Sequence, residues 1–235
     1  IINAAESGVA QTISGQVTGA AAGDTVTVTL GGKTYTATVA GDGSWTTTVP
    51  AADLSALRDG DATVQASVST INGNTASATH AYSVDATAPT LAINTIATDD
   101  ILNAAEAGNP LTISGSSNAE AGQTVTVTLN GVTYTGTVQA DGSWSVSVPT
   151  GDLANLTASP YTVSAAVSDK AGNPASATHN LTVDLAAPVV TINTVAGDDI
   201  INATEHAQAQ IISGSATGAT TGNTVSVTIG TTTYT

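Results

Sequence analysis

The sequence predicts an all-β protein made of stacked two-sheet sandwiches. Three observations carry this: β-branched and small polar residues dominate, apolar residues alternate with a period of two, and one pattern recurs about every 100 residues. "INAAESGVAQTISG" from Ile2 returns as "LNAAEAGNPLTISG" from Leu102 and "INATEHAQAQIISG" from Ile201. "GDTVTVTLGGKTYTATVAGDGSWTTTVP" from Gly23 returns from Gly122, and its beginning returns from Gly222. A period of this length is a whole domain rather than one turn of a solenoid.

Within one period the elements follow in order. Front strands of "PVVTIN" and "LTIS" type come first. Thr124 to Leu129 then sets Val125, Val127 and Leu129 on one face and threonines on the other. Asn130-Gly131 is a hairpin signal, and a strand with Tyr134 and Val138 follows it. "ADGSW" turns the chain again at Asp141 and Gly142; Trp144, Val146 and Val148 face inward, and Pro149 ends the strand. "TGDLANL" suits one helical turn with Asp152 as its cap. Val163, Ala165 and Val167 mark the next strand, and Leu181 and Val183 the last. About seven short strands per period is the count of an immunoglobulin-like sandwich, so the expected fold is tandem immunoglobulin-like β-sandwich repeats arranged head to tail.

The strand ladders break at "VDATAPT" (Val84 to Thr90) and "VDLAAPV" (Val183 to Val189), where proline removes a donor and restricts its predecessor. Linkers this short couple domains stiffly. The expected units are 1–85, a repeat lacking its first strand; 86–184, a complete repeat; and 185–235, the N-terminal half of a third. The register is that of a segment of a longer array, to which each repeat adds roughly 40 Å, from strands of about seven residues at 3.3 Å plus loops.

Composition narrows the function. Eighteen acids against three Lys+Arg give a formal net charge of −15, which disfavours nucleic acid and anionic lipid and attracts cations. No apolar run approaches a membrane span of roughly 20 residues, so neither membrane insertion nor a nucleic-acid partner is expected. The chain has no cysteine, which leaves neither disulfides nor thiolate metal sites. Ser, His and Asp occur without a nucleophile elbow or a zinc-binding helix, so no catalytic residues are assigned.

The concatenated pattern "VD…AP…INT…DDIIN…E…ISG…AGDTVTVTLNG…Y…DGSW…VP…DL…V…D.AGN" resembles the bacterial Ig-like repeats of giant type I-secreted surface adhesins, the biofilm-associated-protein type and the non-fimbrial adhesins of Gram-negative bacteria. The resemblance covers the whole chain. It implies a secreted, surface-tethered rod outside the cell, with junctions rigidified by calcium. It also implies that adhesion to host cells or biofilm matrix is concentrated in other regions, so the partners here are neighbouring repeats of the same chain.

Sandwich topology gives the acids a place. The loop after the first strand and the end of the last strand share one pole, and the hairpin before the last strand lies at the other. The first junction should therefore join Asn3, Glu6 and Asp85 to Asp169 and Asn173 of the next repeat's "SDKAGN" loop. The near side of the second holds Asp99, Asp100, Asn103, Glu106 and Asp184. Asp198, Asp199, Asn202 and Glu205 repeat the same loop once more. Carboxylates without His or Cys neighbours suit calcium, which takes six to eight oxygens. A second reading of each loop stands beside this one. Asn103 and Glu106 also make a capping box, Asp99 and Asp100 suit a solvated turn, and "DKAGN" suits a simple Asp/Asn/Gly turn. The first repeat has Thr70 where the second has Asp169, so a site built on the first repeat's hairpin should bind calcium weakly.

Four further features are packing candidates. Trp45 and Trp144 alternate with inward residues and are expected in the cores, as are Tyr35 and Tyr134. His80 and His179 are expected to pack at a strand end, with no acidic partner at ligand spacing. Rows such as Thr124, Thr126 and Thr128 suit an exposed strand face. The alternative function is a glycan- or surface-binding Ig-like module. It needs an exposed aromatic patch, which 3% aromatic content disfavours.

Overall fold

The computed structural model describes residues 1–219 and 222–235. The first repeat contains β1 (Ile2–Asn3), α1 (Ala4–Ser7), β2 (Gln11–Gln16), β3 (Thr25–Leu30), β4 (Lys33–Thr38), β5 (Ser44–Val49), α2 (Ala51–Leu54), β6 (Gly60–Ser69) and β7 (Thr75–Asp85). The second contains β8 (Leu91–Ile93), β9 (Ile101–Asn103), α3 (Ala104–Ala107), β10 (Leu111–Ser117), β11 (Thr124–Leu129), β12 (Val132–Thr137), β13 (Ser143–Val148), α4 (Thr150–Leu153), β14 (Ser159–Ser168) and β15 (Pro174–Asp184). The third has β16 (Val189–Ile192), a 3-10 turn at Glu205–Ala207, β17 (Gly214–Thr217), β18 (Val227–Ile229) and β19 (Thr232–Tyr234).

In the second repeat a three-stranded sheet, β13-β10-β8, faces a five-stranded sheet, β12-β11-β14-β15-β9. The first strand of the expected seven is broken in two. Its first part, β8, pairs antiparallel with β10, and its second, β9, pairs parallel with β15 on the other sheet. Period-two alternation puts Val125, Val127, Val163, Val146, Val148 and Leu181 into one continuous core. The β11–β12 hairpin turns on Asn130 and Gly131, both with positive φ, which Asn and Gly tolerate.

Trp144 is 1% exposed and crosses Gly115, whose missing side chain makes the slot: a Cβ there would sit 1.9 Å from the Ala92 carbonyl oxygen and 2.4 Å from the indole. The first repeat has the same five-stranded sheet, β4-β3-β6-β7-β1, but only β2-β5 opposite it. Its interior divides into two apolar clusters, and Trp45 is only half-buried. The third repeat holds the two-stranded β16-β17 and β18-β19 sheets, and Val189, Ile192 and Ile211 stay exposed.

Asp152 is not a helix cap. Pro149 occupies the position before α4 without a side-chain capping bond, and the Asp152 carboxylate accepts the Tyr134 hydroxyl at 2.9 Å. Asp53 and Tyr35 form the same pair at 2.8 Å in the first repeat, where Lys33 also reaches Asp53. Burial first, then the neighbouring carboxylate, pushes both tyrosine hydroxyls up to about 12. These rings lie half in the core with their polar ends tied at its rim.

Candidate metal centre at the repeat junctions

The first junction is built by the end of one strand and the start of a helical turn. Parallel pairing of β1 with β7 sets Asn3 beside Asp85. Asn3 then caps α1: its Oδ1 accepts the Glu6 N–H at 2.9 Å, and Glu6 Oε2 accepts the Asn3 N–H at 3.0 Å. A helical turn begins with N–H groups that lack intrahelical partners. The one on Ala4 is satisfied from the second repeat, by Asn173 Oδ1 at 2.7 Å.

Asn173 organises the facing hairpin. It is 1% exposed, and its Nδ2 donates to the Asp85 carbonyl at 2.8 Å and to Asp169 Oδ2 at 2.9 Å. Its backbone N–H donates to Asp169 Oδ1 at 2.8 Å, and Asn3 Nδ2 reaches the Ala171 carbonyl at 3.0 Å. Asn3, Asp85, Asp169 and Asn173 are thus brought together, with Glu6 held by the capping box.

The second loop has the same parts. Asn103 and Glu106 form a capping box at 3.0 and 3.1 Å, and β9–β15 pairing sets Asn103 beside Asp184. Ahead of it Ala97, Thr98 and Asp100 take left-handed φ of 50°, 70° and 65°, a cost for non-glycine residues that bonding around the turn offsets. Asp100 Oδ1 accepts the Ile96 N–H at 2.8 Å, and Asp99 Oδ1 accepts the Ile101 N–H at 3.0 Å.

Asp100 Oδ1 also meets His179 Nε2 at 2.7 Å, so His179 does have an acidic neighbour, one distant in sequence. The Ile96 N–H and then His179 hold the Asp100 carboxyl below its ordinary range. The third loop repeats the turn: Asp199 accepts the Val195 N–H at 2.9 Å, Asp198 the Ile200 N–H at 3.0 Å, and Asn202 and Glu205 exchange bonds at 3.1 and 2.9 Å. The capping box is formed at the first two loops, while at the third the same bonds lead into a 3-10 turn that begins after Thr204; the bonds leave other carboxylate lone pairs free for a second role.

The donor chemistry at the first junction fits a hard cation. Every side-chain candidate offers oxygen, the Asp85 carboxylate makes no hydrogen bond among the described residues, and the two ion pairs found there, Lys33–Asp53 and His179–Asp100, lie elsewhere. The acids are not a preassembled cage. No group of three or more His, Cys, Asp or Glu among the described residues is placed to hold a metal.

One junction residue escaped the sequence reading. Asp59, in the loop before β6, accepts the Ala86 N–H at 2.8 Å through Oδ1 and the Thr87 hydroxyl through Oδ2. These bonds, the backbone one foremost, hold its carboxyl below the usual range. A signal was present: 99 positions on, where the next repeat aligns, Asp59 and Thr87 become Ala158 and Ala186 together (158 − 59 = 99; 186 − 87 = 99).

Residues 87–185 match the bacterial Ig-like domain family. A solved segment of a 1.5-MDa bacterial ice-binding adhesin, studied for its retention on the host cell surface, is 38% identical over 92% of this chain and 72% of its own, with a TM-score of 0.50. The chain belongs to the bacterial Ig-like domain family. A second bacterial Ig-like relative is a Ca2+-stabilised adhesin with which an Antarctic bacterium reaches out and binds ice; it is 40% identical over 92% of this chain, with a TM-score of 0.52. The chain spans 55% of that relative's length. No curated protein matches. The two-sheet core is that of an Ig-like sandwich.

Proposed function

We propose that this chain is a spacer segment of a large extracellular bacterial adhesin, with calcium stiffening the joints between repeats. The carrying observation is the first junction, where Asn3, Ala4 and Asp85 of one sandwich bond to Ala171 and Asn173 of the next without a slack linker, and where no basic side chain among the described residues pairs with the acids. Two folded bodies joined this way transmit direction along the chain, which is what a stalk requires. Asp85, Asp169 and Glu6 would hold the ion, which supplies positive charge between carboxylates that otherwise repel. Likeness to a Ca2+-stabilised adhesin supports the same choice of ion. The chain's partners on this reading are its neighbouring repeats, and attachment to cells or biofilm matrix lies in other parts of the parent protein. No catalytic role is assigned.

Thermal unfolding and small-angle scattering in calcium, and again in chelator, test the reading. A higher Tm and a less conformationally averaged scattering curve in calcium support it. Identical melts and curves in both conditions contradict the role given to the ion.

A further inference from the structure

We propose that Asp59 and Asn173 are positioning residues that set the angle between the first and second repeats by protein–protein bonding, whether or not calcium is bound. The inference goes beyond the calcium reading and does not depend on it.

Two fastenings act on the linker at its start. Asp59, from the first repeat, holds the Ala86 N–H at 2.8 Å and the Thr87 hydroxyl, so both oxygens of one carboxylate grip the two residues after β7. Asn173, from the second repeat, holds the Ala4 N–H at 2.7 Å and the Asp85 carbonyl at 2.8 Å. The first is a charge-assisted pair, and the second is nearly sealed from water at 1% exposure. The bonds run from both repeats onto the same few residues, Asp85 to Thr87, so a hinge at that point breaks bonds on both sides.

The Asn-containing hairpin is not a by-product of the acid beside it. In the first repeat the corresponding hairpin has Thr70 in place of Asp169, and it keeps the turn: Thr70 N–H to the Asn74 carbonyl at 2.9 Å, Gly73 N–H to the Thr70 carbonyl at 2.9 Å. The Asp59 clasp, by contrast, is specific to one joint. At the next joint Ala158 before β14 and Ala186 after β15 stand where Asp59 and Thr87 do, so neither the carboxylate nor the hydroxyl of the clasp is present there. Successive joints of the array therefore differ in stiffness, and the difference is written in the loop before β6 or β14.

The test is a spin-label distance measurement on the full chain. It has no native cysteine, and Gly41 and Gly151, one in each repeat, have open space where a side chain would go. With G41C and G151C labelled, the unaltered joint should give the same mean distance in calcium and in chelator. Asp59→Ala with Asn173→Ala should shift and broaden the distribution in chelator. Thr87→Val removes one hydroxyl without disturbing either fold and should broaden it by less. In Asp59→Ala the Ala86 amide should exchange about tenfold faster, the loss expected for one hydrogen bond, while each repeat keeps its own Tm. If chelator alone moves the unaltered joint to the distribution of the double variant, the proposal is overturned. If calcium changes neither width nor Tm, the calcium reading fails while the comparison of means still decides this one.

Discussion

The first and second repeats share a sequence pattern and differ in one strand. In the second, β8 lies over Gly115 and completes the cover of Trp144, which is 1% exposed within a single core. In the first, β2 pairs only with β5, Trp45 is half-buried, and the core is divided. The same indole on the same glycine thus sits in two environments. The difference shows that the cover over the tryptophan comes from a strand that sheet pairing adds, not from the "GSW" turn that positions it.

Truncating the two tryptophans should give the largest contrast. Trp144→Ala should cost about 3–5 kcal/mol of the second repeat's stability, and Trp45→Ala distinctly less of the first's. Urea unfolding followed by far-ultraviolet circular dichroism, with the remaining tryptophan in each variant marking the transition of the unaltered repeat, separates the two losses. Equal losses would remove the difference in burial as a difference in energy.

The glycines sharpen the comparison. Gly115→Ala presses on the Ala92 backbone as well as the indole and should cost about 1–3 kcal/mol. Gly15→Ala meets first the ring of the half-buried Trp45, a side chain rather than backbone, and should cost less. A larger loss at Gly15 would mean that Trp45 is held as tightly as Trp144.

Smaller effects follow pH, and here the two repeats should agree. Tyr35 and Tyr134 are raised from 10.0 to about 12, so the folded state keeps their protons longer than the unfolded state does. Their contribution is complete below pH 10 and is lost as pH rises toward 12. Ionisation of Tyr35 and Tyr134, read as the difference between the ultraviolet titration of the unaltered chain and those of Tyr35→Phe and Tyr134→Phe, should therefore coincide with alkaline unfolding; ionisation of these two well before unfolding would contradict the bonds to Asp53 and Asp152. Asp59 has the opposite sign. Its pKa is lowered from 3.8, so the linker clasp is present above that value and is lost as pH falls through the folded value below it. Protection of the Ala86 amide should fall in that acid range and should show no such step in Asp59→Asn.

Strand positions were legible in the sequence because burial follows a two-residue alternation that a single segment displays, as in Thr124 to Leu129. The capping boxes were legible for the same reason, since Asn103 and Glu106 meet within one turn. What the local pattern hid were contacts made by folding: Tyr134 to Asp152 across 18 positions, and Asp100 to His179 across 79. Asp59 was hidden further, because its partners lie across a linker whose "VDATAPT" signalled only a break. The junction residues of the first joint were placed by topology, and the structure brings them together without closing the acids into a cage.

Calorimetric titration of calcium into the chelator-treated chain, with Asp85→Asn and Asp169→Asn alongside, tests the central claim most directly. Saturable binding that raises Tm by mass action is expected, with a site lost in each variant. No saturable heat, or binding unchanged by both substitutions, would contradict calcium at this junction and leave the stalk held by protein contacts alone.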